Sequence, residues 1–97
     1  MTTSDMAQVR YLISAYFHED WRLDATSPID VVRQFAEREP SDSVAAVRRG
    51  LSDLLTSGRS EADLRRLVLD EWQSSYDPAL EAGTVRGWLE EILCLLA

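Results

Sequence analysis

A chain of 97 residues that is 45% hydrophobic can bury roughly 65% of its unfolded surface in one core, and is too apolar for a disordered acidic tail. Seventeen carboxylates against ten basic residues, all arginine, give a net charge of −7, which argues against direct binding to nucleic acid or an anionic membrane. One cysteine excludes an internal disulfide, no apolar run approaches the ~20 residues of a membrane span, and Met1-Thr-Thr-Ser-Asp-Met6 lacks the parts of a signal peptide, so the cytoplasm is the expected compartment.

From Asp5, the positions Met6, Val9, Leu12, Ile13, Tyr16 and Phe17 recur at spacings of three and four, marking a first helix to about His18. The segment Glu19 to Thr26 reads as a loop. Ser27-Pro28 then starts a helix: Ser27 can cap, Pro28 suits the first position and Asp30 complements the dipole. Ile29, Val32, Phe35 and Ala36 line its face, and Pro40 closes it. A third helix begins near Ser41 or Asp42, with the stripe Val44, Val47, Leu51, Leu54, Leu55 and a left-handed terminator at Gly58. Gly50 inside it marks close packing against a neighbouring helix.

Ser60-Glu-Ala-Asp63 is another capped start, continued by Leu64, Leu67, Val68 and Trp72, with Glu61 and Arg65 spaced for a side-chain pair. A break at 74–78 and Gly83-Thr84 lead to a last helix carrying Val85, Trp88, Leu89, Ile92, Leu93 and Leu96. Cys94 in that apolar run reads as a small buried hydrophobe. The expectation is an all-α, compact, single-core bundle of about five short helices, forming one domain over residues 1–97.

Chemistry is harder to find. Four scattered glycines make no phosphate loop, and a single histidine, His18, excludes a two-histidine metal motif. Asp20-x-x-x-Asp24 fails as a calcium loop because Arg22 stands where an oxygen ligand is needed. Ser27, Ser41 and Ser60 are accounted for as helix caps, so no nucleophilic triad assembles. No catalytic residue, metal or cofactor is therefore expected. Two segments stand out instead, Tyr16 to Asp24 and Asp70 to Pro78, each placing a large aromatic among carboxylates at a helix end. Trp21 and Trp72 in them suit either the core or an interface.

The run Tyr16-Phe-His-Glu-Asp-Trp21 resembles the signature of a family of contact-dependent growth inhibition immunity proteins, with Glu19 in place of the family's usual glutamine. Ser27-Pro-Ile-Asp-Val-Val32, Phe35 with Glu39-Pro40, Ser60-Glu-Ala-Asp-Leu64, Tyr76-Asp-Pro78 and Val85-Arg-Gly-Trp-Leu89 resemble its further landmarks in order. The resemblance implies a cytoplasmic, non-enzymatic protein without cofactor that binds and neutralises the C-terminal domain of a surface-delivered toxin, commonly a nuclease, as a monomer or a heterodimer with it. An acidic inhibitor suits the basic cleft of a nuclease.

Under that resemblance, Tyr16, Phe17, His18, Asp20 and Trp21 are expected to hold the fold: Asp20 accepting main-chain amides, His18 bonding within its loop, Trp21 sealing the core. The acids expected to meet the toxin are Glu19, Asp24, Asp70, Glu71, Asp77 and Glu81. The competing reading is a helical adaptor that takes a partner helix in an apolar groove.

Overall fold

The computed structural model describes residues 5–81 and 83–97, together with the main chain but not the side chain of Asp24. The first four residues of the amino-terminal segment and the side chain of the candidate contact Asp24 thus lie outside the described residues. Six α-helices and no strand are found among the described residues: α1 (Asp5–Tyr11), α2 (Trp21–Asp24), α3 (Pro28–Arg38), α4 (Ser41–Leu55), α5 (Glu61–Arg65) and α6 (Val85–Leu96). A π-helical stretch, Leu12–Tyr16, prolongs α1, a second, Arg66–Glu71, prolongs α5, and a 3-10 turn spans Pro78–Glu81. The all-α expectation is met. The loop expected at 19–26 contains the extra short helix α2.

Capping side chains set the helix starts. Ser27 Oγ accepts the Asp30 N–H at 3.3 Å with Pro28 in the first turn of α3, and Ser60 Oγ accepts the Asp63 N–H at 3.1 Å. Thr84 Oγ1 does the same for Gly87 at 2.9 Å at the start of α6. Gly58 takes φ +81°, the left-handed conformation that glycine adopts without penalty, and turns the chain from α4 toward α5.

The apolar stripes meet in one core. Val9, Leu12, Ile13, Phe17, Phe35, Val47, Leu51, Leu64, Val68, Val85 and Leu89 are fully buried in it. The radius of gyration, 12.4 Å, is what a closely packed chain of this length adopts. α4 lies against α1 and α6. Gly50 is what brings α1 in: a Cβ there would stand 2.6 Å from Val9 Cγ2 and 2.7 Å from the Asp5 carbonyl oxygen. Arg49 fixes the same crossing with two hydrogen bonds to the Asp5 carboxylate, each 3.1 Å.

Three expectations are corrected. Cys94 is exposed, because the buried side of α6 runs through Val85, Trp88, Leu89, Ile92 and Leu96, and a residue two places beyond Ile92 points away from it. Ala36 is exposed as well, since α3 buries Val31, Val32 and Phe35 while Ile29 is only half-buried. Glu61 makes no hydrogen bond or close ion pair with Arg65 among the described residues and acts on that guanidinium only through its charge. Its carboxylate instead accepts the Val85 and Arg86 N–H groups at 2.8 and 3.0 Å, at the positive end of α6. Arg86 returns the contact, donating to the Leu55 and Arg59 carbonyls that end α4 and its loop.

Candidate protein-binding surface

The two aromatic-and-acid segments are brought together. Phe17, at the end of the first π stretch, has no exposed surface. Its ring lies 4.9 Å from Trp88, 6.1 Å from Trp21 and 6.1 Å from Tyr76, centroid to centroid. Trp21 and Tyr76 are edge to face at 5.8 Å, and Tyr76 meets Trp88 at 5.0 Å. Such pairings are worth about 0.5–1.5 kcal/mol each beyond the area they bury.

Main-chain bonds fasten the same junction. The second π stretch closes with the Trp72 N–H donating to the Leu67 carbonyl at 2.9 Å. Gln73 then takes φ +57°, reversing the chain so that the Ser75 N–H reaches the Phe17 carbonyl at 2.9 Å. Ser14 Oγ donates to the Trp72 carbonyl at the same distance. Trp21 and Trp72 are 5% and 7% exposed, so both belong to the core and neither is an exposed interface anchor.

The remaining signature residues make local bonds and, at Tyr16, a long-range one. Tyr16 is half-buried, and its hydroxyl donates to Glu39 Oε2 at 3.0 Å. Burial first, and then the Glu39 carboxylate, push that phenol up to about 12. His18 Nδ1 accepts the Asp20 N–H at 3.1 Å. Asp20 itself is exposed, and the bonds it makes here run through its main chain rather than its carboxylate.

The six candidate contact acids have different surroundings. Glu19, Asp70 and Glu71 are exposed: Glu19 follows the signature histidine, and the other two end the second π stretch. Asp77 is engaged. It accepts two bonds from the Arg65 guanidinium, 3.1 and 3.0 Å, and one from the Ala79 N–H at 2.9 Å. The Arg65 bonds, followed by the Ala79 amide, hold its carboxyl below the usual carboxylate range. Glu81 is exposed but accepts the Tyr76 hydroxyl at 2.8 Å. The Asp24 side chain lies outside the described residues. No cluster of three metal-ligating side chains occurs among the described residues.

A family model described as CdiI immunity protein matches residues 5–96. The chain belongs to the CdiI immunity protein family. Its backbone is similar to a chain of the CdiA-CT/CdiI complex from Y. kristensenii 33638, with a TM-score of 0.89 and 17% identity over 97% of this chain and 100% of that one. At that identity the likeness speaks for the shared fold. No curated protein matches the chain.

In this CdiI family member the landmarks that carried the resemblance are joints of the fold. Tyr16 ties to Glu39, Glu61 ties to the α6 start, Arg86 to the α4 end, and Tyr76 and Trp88 close on Phe17. Sequence reasoning missed one surface feature. A groove of about 210 Å³ opens between the start of α3, the 78–81 turn and α6, lined by Pro28, Ile29, Val32 and Trp88 and by the acids Glu81 and Glu91. Glu91 carried no signal in the sequence, where it is one of a Glu90-Glu91 pair indistinguishable from any solvated helix face.

Proposed function

We propose that this CdiI family member is a cytoplasmic, single-domain inhibitor that binds the C-terminal toxin domain of a contact-dependent growth inhibition system. It acts by occupying the toxin's active site or its substrate path, and has no catalytic site or cofactor of its own. The observation that carries the reading is family membership across residues 5–96. The fold shared with a chain of a CdiA-CT/CdiI complex supports a binding role, and we infer a monomer that forms a heterodimer with the toxin.

The toxin we infer is a nuclease. Support comes from charge: an enzyme that grips a polyanion presents a cationic cleft, and an inhibitor of net charge −7 is attracted to such a cleft and repelled by the nucleic acid itself. Exposed Glu19, Asp70 and Glu71, and Asp24 at the end of α2, are the acids proposed to steer the encounter. Asp77 and Glu81 are proposed as contacts too, though each also holds an internal partner.

The test is co-expression with the toxin domain encoded beside this chain, followed by association kinetics of the purified pair at rising ionic strength. A stable complex whose association rate falls steeply with salt is the expected result. A complex with salt-independent association supports an apolar, adaptor-like interface instead, and the absence of any complex refutes the toxin-binding reading.

A further inference from the structure

Resting on the toxin-binding reading, we propose that the groove between α3, the 78–81 turn and α6 is a docking site for one long cationic side chain, lysine or arginine, projected by the basic toxin domain. The walls fit the stem of such a side chain. Half-buried Ile29 offers apolar surface above the buried Val32, Trp88 and Ile92, and Leu95, 38% exposed, extends it toward solvent. Long cationic side chains lay their methylenes on surfaces of this kind while keeping the charged head in a polar setting.

The carboxylates supply that setting. Glu81 and Glu91 both line the groove, and no arginine does. Both also act on one phenol: Tyr76, whose hydroxyl donates to Glu81 at 2.8 Å, is pushed up to about 12 by burial, then by Glu81, with Glu91 adding to it. Two carboxylates thus share the lining of one groove that no arginine lines. An incoming ammonium or guanidinium would meet both carboxylates and take up lone pairs of Glu81 that the Tyr76 hydroxyl leaves unused.

Size narrows the occupant. At about 210 Å³ the groove falls below the ~300–1,000 Å³ typical of small-molecule sites, yet has room for a single side chain. A second copy of this chain is a poor candidate, because each copy carries −7 and approach of the two would be repulsive. A basic protein partner meets no such barrier.

The experiment compares dissociation constants of the complex with the adjacent-encoded toxin domain for three forms of the full chain. E81Q/E91Q removes the groove's charges. Leu95→Trp fills the groove without changing charge. D42N/D53N makes the same change in net charge on α4, outside the groove. We expect Kd to rise about tenfold or more for the first two and to change less than about threefold for the third, with thermal unfolding confirming that all three fold. Equal weakening by the α4 control, or wild-type affinity in both groove variants, overturns the groove while the complex itself preserves the toxin-binding reading. Failure of the wild-type protein to bind the toxin domain overturns both. Dimerisation of the wild-type chain that is lost in E81Q/E91Q also overturns it, since the occupant would then be a second copy.

Discussion

Arg65 and Asp77 face each other through two hydrogen bonds of 3.1 and 3.0 Å, planar guanidinium against carboxylate, across the turn that follows α5 and its π extension. The pair anchors the segment that presents Tyr76 to the aromatic junction. Its pH dependence has a definite sign. Asp77 has a folded value below its ordinary 3.8, so its stabilisation is complete above that ordinary value and is lost as pH falls through the lower folded one. Asp77→Asn should therefore lower Tm by no more than a few degrees near neutral pH, the pair being partly exposed. The difference from wild type should vanish in strong acid. Thermal melts followed by circular dichroism from neutral to low pH check this.

Gly50→Ala is expected to be much more damaging than its size suggests. The added methyl would press on the Asp5 carbonyl oxygen, main chain that cannot rotate aside, as well as on Val9. Overpacking of that kind costs up to about 3 kcal/mol, more than the ~1 kcal/mol that alanine regains in helix propensity. A fall in Tm of about 10 °C is predicted, measured by calorimetry.

Tyr16 and Tyr76 should resist ionisation until about pH 12. A folded value above the unfolded 10.0 means the stabilisation from these phenols is whole below pH 10 and is lost as pH rises through 12. The near-ultraviolet tyrosinate band should show this late step, and Glu81→Gln should move the Tyr76 component downward. Ionisation of both phenols near their ordinary value would contradict the bonds to Glu39 and Glu81.

Cys94 should react with a thiol reagent in the native protein at a rate close to that of the unfolded chain, without change in helical signal, because it is exposed. Protection of the thiol until denaturation would show that the α6 face is occupied.

The helices were legible in the sequence wherever a cap and an apolar spacing coincided. Ser27-Pro28, Ser60 and Gly58 are local instructions that tertiary packing had no reason to override. Gly50 was legible for a related reason: a glycine inside a strong helix pattern needs a neighbour to justify it. Cys94 is misread because an apolar residue in an apolar run says nothing about which side of the helix it occupies, and Ala36 because it fits the helical spacing while lying at the margin of the buried face of α3. The candidate contact acids are the least legible. Nothing in sequence distinguishes Asp77, committed to Arg65, from exposed Asp70, and the turn that sets Glu81 and Glu91 around one groove depends on Tyr76 reaching the far helix.

The most direct test of the proposed function is a titration of the adjacent-encoded toxin domain's activity with this protein, in a nucleic-acid cleavage assay. The account predicts loss of activity that is complete at one inhibitor per toxin and weakened by charge reversal at Glu19 or Asp70. Undiminished toxin activity at saturating inhibitor would contradict it.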